Sequence, residues 1–193
     1  MRTRKRGGPV RAGMEQISGL RGALGMTDAC AGYAAGLFLE AASSGFLTGR
    51  TVSHCAAAAA LLACRKHGTG RTARDVVAAT GLEMRDIRRT YRRLCEKFGL
   101  DLPVPDPASF VDRICEAAGM VEAVRRDARA VLASADRAKI AGKNPVGLAV
   151  GALYVSCVRL GEVAFRRDIA RASWVAETTL TDRYKDLVRP AVV

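Results

Sequence analysis

Aromatic residues are scarce in this 193-residue chain, at 5% of the total with a single tryptophan. Any core must therefore be filled by alanine, leucine, valine and isoleucine from within an apolar fraction of 49%. Alanine loses no side-chain entropy in a helix, so an all-helical chain is expected. Histidine is nearly absent, with only His54 and His67, and the six cysteines (Cys30, Cys55, Cys64, Cys95, Cys115, Cys157) are scattered singly. With no Cys-x-x-Cys pair, neither a disulfide scaffold nor a zinc site is indicated, and buried thiols in a reducing cytoplasm are expected. Cys64 and His67 could share a helix face, but a tetrahedral metal would need two further ligands. Gly142-Lys143 is followed by Asn144 and lacks the upstream glycine of a phosphate-binding loop. No nucleophile stands beside a positioned base. The expectation is a protein that is not an enzyme and holds no metal or cofactor. Long apolar runs are missing too, since a membrane span needs roughly 18–20 such residues. The basic start (Arg2, Arg4, Lys5, Arg6) runs into Gly7-Gly8-Pro9, not into the apolar segment of a signal peptide. Finally, acidic residues are few: 19 against 31 Lys plus Arg, a net charge of +12 and a pI near 10.0. Such a surplus suits a polyanionic partner, nucleic acid ahead of an anionic membrane.

What is present is a duplication. The block Leu47–Leu94 recurs without a gap as Ile140–Leu187, 93 positions later. The matched pairs include Gly49/Gly142, Arg50/Lys143, Cys64/Cys157, Gly68/Gly161, Asp75/Asp168, Val76/Ile169, Ile87/Leu180, Tyr91/Tyr184 and Leu94/Leu187. That period is too long for a solenoid unit and suits a small domain written twice. Residues 1–9 form a basic flexible tail, 10–102 the first repeat, 103–109 a proline-rich linker and 110–190 the second repeat. Pro103, Pro105 and Pro107 make the connector stiff.

Within the first repeat, Met14, Ile17, Leu20 and Leu24 recur at helical spacing over Val10–Leu24. Thr27 and Asp28 offer an N-cap to a second helix that ends at Ser43-Ser44-Gly45. Cys55–Cys64 is apolar all round, so it should be the buried central helix, with Val146–Val158 as its counterpart after Asn144-Pro145. Thr72–Ala79 and Arg166–Ala172 are then short helices, followed by a tight turn and longer helices at Glu83–Phe98 and Glu177–Val188. Short helix, turn, longer helix is the helix-turn-helix layout. In the second repeat, Phe110, Ile114 and Ala118 open one amphipathic pattern, and Val121, Val124, Ala128, Val131 and Leu132 form another.

The last helices carry the candidate chemistry. In the first repeat, Ile87, Tyr91 and Leu94 face inward, and Arg85, Arg88, Arg89, Arg92 and Arg93 coat the rest. So dense a cationic coat is useful beside phosphates or an acidic protein surface. Arg71, Arg74, Arg85, Arg88 and Arg92 are the candidate contacts there. In the second repeat, Thr178, Thr179 and Thr181 sit near the start of the final helix, with Asp182 beside them and Arg183 and Lys185 beyond. A major-groove reader contacts base edges from the start of its helix and phosphates from its surroundings. Lys143, Arg166, Arg167, Thr178, Thr179, Thr181, Arg183 and Lys185 are therefore the candidate DNA-binding residues. Thr178 and Thr179 can equally be read as helix caps. Tyr33, Phe38 and Trp174 are expected to pack in the core or the turns.

These motifs resemble the core of archaeal transcription factor B and eukaryotic transcription factor IIB. The likeness spans about residues 28–189 and rests on Gly142–Tyr154 and Val175–Leu187. In the first repeat it rests on Arg71-Thr72, Arg89–Arg92, Gly99–Pro103 and Asp106-Pro107. The resemblance implies two tandem cyclin-like five-helix domains, each ending in a helix-turn-helix. It further implies a transcription initiation factor that binds promoter DNA together with TATA-binding protein, in an archaeal cytoplasm or a eukaryotic nucleus. The family's zinc ribbon has no match in this sequence, so the usual route to RNA polymerase is not expected, and a divergent paralogue that modulates initiation is. The family's base-readers, a small apolar residue and an arginine, correspond to Thr178 and Thr181 here. One lost bidentate arginine contact costs about 1–3 kcal/mol of discrimination. The alternative is a cyclin-fold module for protein–protein contacts without sequence-specific DNA binding.

Overall fold

The computed structural model describes residues 7–162 and 166–188, and these are helical with no strand among them. The basic residues Arg2 to Arg6 of the expected tail lie outside the described residues. The chain divides into two compact units, Met1–Val104 and Pro105–Val193.

The first unit holds five helices, α1 (Gly8–Leu24), α2 (Asp28–Ser43), α3 (Val52–Lys66), α4 (Ala73–Thr80) and α5 (Met84–Phe98). Helix α1 starts two residues before the expected Val10, because a proline in the first turn is pre-set for helix and loses no hydrogen bond there. Ten consecutive residues of α3, Cys55–Cys64, are buried, and the helix is packed by α1, α2, α4 and α5. Six of those ten are alanines, whose small side chains let four neighbours approach one axis. Close packing also decides Gly13, where an added Cβ would lie 2.0 Å from the ring of the fully buried Phe38.

The second unit repeats the plan in α6 (Ala108–Ala117), α7 (Glu122–Ser134), α9 (Pro145–Leu160), α10 (Arg166–Ser173) and α11 (Glu177–Val188). A one-turn helix that the sequence pattern does not suggest, α8 (Arg137–Ile140), is inserted where the first unit has only turns, and the Asp136 side chain caps it. Helix α9 is the buried centre, touched by α6, α7, α10 and α11. Its N-terminus is capped by Asn144, whose Oδ1 accepts from the amides of Val146 and Gly147 at 2.9 and 3.4 Å. Helix α6 carries a buried cation among its apolar residues: Arg113, 7% exposed, donates from Nη1 to the Ala172 carbonyl at 2.9 Å. That carbonyl lies in the last turn of α10, where an arginine both satisfies an orphan acceptor and complements the helix dipole. The first unit has Leu20 at the same register, so this polar tie belongs to the second unit alone.

Candidate nucleic-acid interface

The two helix-turn-helix units are α4–α5 and α10–α11, and matching apolar residues anchor them at equivalent positions. Val76 and Ile169 are fully buried in the short helices, as are Ile87 and Leu180 in the longer ones. Helix α4 is closed by a capping box, with Thr72 N donating to Asp75 Oδ2 at 2.7 Å and Asp75 N to Thr72 Oγ1 at 3.4 Å. Gly81 ends it in the left-handed region (φ 67°). Trp174 does the same for α10 at φ 59°, although it carries a full side chain.

The candidate residues of the second unit separate into two groups. Arg166 and Arg167, at the start of α10, are exposed. Arg166 is held over Tyr154: Nε donates to Oη at 3.0 Å, and the guanidinium lies 5.4 Å from the ring centroid. Tyr154 in turn meets Tyr184 edge-on at 5.1 Å, which links α9, α10 and α11. Arg167 reaches Glu177 at 3.8 Å and keeps its side chain 86% exposed. On α11, Thr178, Thr181, Asp182 and Lys185 share a stripe by their i, i+3, i+4, i+7 spacing. Thr178, Asp182 and Lys185 are exposed, and Thr181 is half-buried with its hydroxyl donating to the Glu177 carbonyl at 3.1 Å.

Lys143, Thr179 and Arg183 face the other way. Thr179 puts its methyl toward Gly147, and the Arg183 stem lies along Gly147 and Gly151. A Cβ on Gly151 would sit 2.6 Å from Arg183 Cβ and 2.9 Å from its carbonyl carbon, so α11 rests its backbone directly on α9. The Arg183 guanidinium then turns to Asp186 at 2.8 Å, and Lys143 meets the same Oδ2 at 2.6 Å. All three side chains are only about a quarter exposed. Asp186 thus pairs with two cations and ties α11 to the segment before α9. Neither Asp186 nor the Gly147–Gly151 pair was recognisable as part of this site from spacing; the one available signal was two glycines four apart in an otherwise bulky helix.

In the first unit, Arg85, Arg88, Arg89, Arg92 and Arg93 all stand exposed around α5, and Arg74 is exposed on α4. Asp86 approaches both Arg89 and His54 at 4.0 Å, relieving a small part of that charge. Arg71 is instead half-buried, with Nη2 directed at the position a Cβ of Gly25 would take, 3.1 Å away. Tyr91 is half-buried, and its hydroxyl accepts from Arg65 Nη1 at 3.1 Å.

The transcription factor TFIIB repeat matches this chain twice, over residues 8–97 and 100–190. The chain belongs to the TFIIB repeat family. Its helices accordingly form two tandem cyclin-like domains that each end in a helix-turn-helix. Similar proteins include transcription initiation factor IIB of Archaeoglobus fulgidus, 31% identical over 175 residues, covering 90% of this chain and 54% of that protein. Transcription initiation factor IIB of Pyrodictium occultum is 36% identical over 154 residues, 79% of this chain and 50% of that one. Transcription initiation factor IIB 2 of Thermococcus kodakarensis is 33% identical over 156 residues, 80% and 51% of the two. The chain therefore spans about half the length of the curated relatives it matches.

Five of the six cysteines of this TFIIB-repeat chain are buried. Burial pushes the thiols up, to about 12 for Cys30, where Cys64 adds to the effect, and to about 11 for Cys55, Cys115 and Cys157. Neutral buried thiols are inert packing groups. Among the described residues no cluster of three metal-ligating side chains occurs, and no helix is long and apolar enough to cross a membrane.

Proposed function

We propose that this chain acts as a transcription initiation factor of the TFIIB type, docking on promoter DNA together with TATA-binding protein. The observation that carries the reading is the joint exposure of the Thr178, Thr181, Asp182 and Lys185 stripe with Arg166 and Arg167 on a TFIIB repeat. The start of α11 enters the major groove, and Arg166, Arg167 and Lys185 meet the phosphates on either side. Threonine and aspartate offer hydroxyl, methyl and carboxylate contacts to base edges in place of an arginine fork on guanine, so the preferred element differs from a guanine-anchored one. Here lies the divergence: the duplex is gripped as in the family and read with other side chains. Lys143 and Arg183, joined through Asp186, position α11. In the first repeat, Arg74, Arg85, Arg88 and Arg92 supply a second polyanion-binding surface for flanking DNA.

The test is a footprint on promoter DNA with and without TATA-binding protein, paired with affinities across a salt series. Each phosphate contact adds about 0.9 to the slope of log affinity against log salt. Arg166→Ala with Arg167→Ala should lower that slope by about 2 and weaken binding alike on all sequences. An unchanged slope and affinity would remove the phosphate assignment. Capture of TATA-binding protein without any duplex affinity would favour a cyclin-fold protein-binding module instead.

A further inference from the structure

The first unit holds a cleft of about 340 Å³ beside its helix-turn-helix. Gln16, Gly19 and Leu20 of α1 line it, together with Ser53 of α3, Ala79 and Thr80 at the end of α4, and Leu82 in the turn that follows. A glycine inside a helix weakens it, and close packing is the usual reason to keep one. Packing does not explain Gly19, which is exposed and has nothing within 4 Å of an added Cβ. The cleft is open where a side chain would stand.

The second unit fills the corresponding place from within. Arg113 of α6 is 7% exposed and donates from Nη1 to the Ala172 carbonyl at 2.9 Å. Ala172 is the counterpart of Ala79 in the 93-position register, and each is next to last in its short helix. The residue after it behaves alike in both units: Thr80 Oγ1 donates to the Val76 carbonyl and Ser173 Oγ to the Ile169 carbonyl, each at 2.7 Å. The likeness ends there, since the turns beyond are closed by different hydrogen bonds, Gly81 N on the Val77 carbonyl and Val175 N on the Ala170 carbonyl. The opening helices are each followed by a left-handed glycine, Gly25 at φ 59° and Gly119 at φ 65°. The next amide reaches back in the same way, Met26 N to the Arg21 carbonyl and Met120 N to the Cys115 carbonyl, both at 2.9 Å. Counted from those glycines, Gly19 stands where Arg113 stands; counted by the 93-position register, Leu20 does. Both line the cleft.

What the cleft offers is acceptors and an apolar wall. The Ala79 carbonyl belongs to a helix end and has no intrahelical donor, and no backbone amide of the turn reaches it. Gln16 gives its Nε2 to Ser53 Oγ at 2.8 Å, which leaves its amide oxygen to accept. The negative end of the α4 dipole and the exposed Glu83 just past Leu82 complement a cation, while Leu20 and Leu82 suit an aliphatic stem. A guanidinium on its stem meets all of these demands, as Arg113 does in the second unit. DNA carries no cation, so the occupant comes from a protein. We infer that this cleft of the first repeat is a docking site for an arginine side chain of a partner protein, whose guanidinium takes the place that Arg113 holds in the second repeat. The inference does not depend on the DNA-binding reading above.

The probe is acetyl-arginine methylamide, titrated into the chain while its amide resonances are followed by NMR. Acetyl-norleucine methylamide serves as the stem without the head group. The arginine compound should move the amides of Gly19, Thr80 and Leu82 saturably at millimolar concentration, and the norleucine compound should leave them in place. Gly19→Arg, which meets no obstruction at Cβ, should fill the cleft from within and abolish that binding. It should also slow hydrogen exchange of the buried α3 amides about tenfold beyond Gly19→Met, which supplies a stem of similar helix propensity without the donors. No saturable shift with the arginine compound, or equal shifts with both compounds, overturns the inference and leaves the proposed function standing. Undiminished binding by Gly19→Arg overturns it too, as does α3 exchange that is the same in Gly19→Arg and Gly19→Met. A chain that binds the arginine compound but no duplex keeps this inference and removes the DNA-binding reading.

Discussion

Replacing Gly151 with alanine tests whether α11 is set by the floor it lies on. The added Cβ would meet Arg183 Cβ at 2.6 Å, its carbonyl carbon at 2.9 Å and its carbonyl oxygen at 3.1 Å. Non-bonded carbons rest about 3.5–4.0 Å apart, so α11 must retreat by about 1 Å. Two of the three atoms are backbone, so no rotamer change relieves the collision. Overpacking of this kind costs about 1–3 kcal/mol, and the gain in helix propensity returns at most about 1 kcal/mol. The net effect should be a loss of up to about 2 kcal/mol, confined to the second repeat. Gly19 gives the opposite sign from the same chemistry: it lies within α1, is exposed, and has nothing within 4 Å of an added Cβ. Gly19→Ala should stabilise the first repeat by about 0.8 kcal/mol. Urea unfolding followed by Trp174 emission isolates the second repeat, and far-ultraviolet circular dichroism follows the whole chain. A recognition constellation tolerates displacement of only about 0.5 Å, so Gly151→Ala should also lose about tenfold in duplex affinity. Equal stabilisation by both substitutions, with wild-type DNA affinity, would refute the seating of α11 on Gly151.

Three further outcomes are expected. Asp186→Asn leaves Lys143 and Arg183 crowded without their shared carboxylate and should cost about 2 kcal/mol in urea unfolding of the second repeat, since one partner of a part-buried cluster is removed; an unmoved midpoint would mean the cluster is solvated. Arg113→Met keeps the stem but not the donor to the Ala172 carbonyl, and should lower stability by about 1.5–3 kcal/mol, visible as an earlier loss of Trp174 emission. Alkali should destabilise the chain through its buried thiols: their folded-state values are raised from 9.0 to about 11 or 12, so the unfolded chain releases protons first. Stability is then full below pH 9 and falls as pH rises toward 11, and Cys157→Ala should flatten that fall in urea midpoints taken across the range.

The parts of the fold legible in the sequence were those that a 3.6-residue period or a cap dictates. Cys55–Cys64 could only be a buried centre, and Thr27 has the side chain that end-capping demands. The duplication carried more, because each of the three helices that the recurring block spans, α3 to α5, fixes its counterpart 93 positions away. Direction around a helix was legible only where apolar residues define it. On α5 they do, since Ile87 and Leu94 are buried and the arginines between them exposed. On α11, Leu180 alone is fully buried, and whether Arg183 faces solvent or the core depends on its neighbour helix. That neighbour supplies two glycines and so makes room for an arginine stem, a three-body condition that no single-helix pattern encodes. The same condition separates the two repeats. At the positions of Gly151 and Arg183 the first repeat has Ala58 and Thr90, a larger residue below and a smaller one above. The second repeat fills this place with the stem of a cation on the helix above. Only the second pairing ties the final helix through Arg183, Asp186 and Lys143 to the start of the central one. The repeat proposed to read DNA is therefore the one whose reading helix is held by both a close backbone contact and a shared charge.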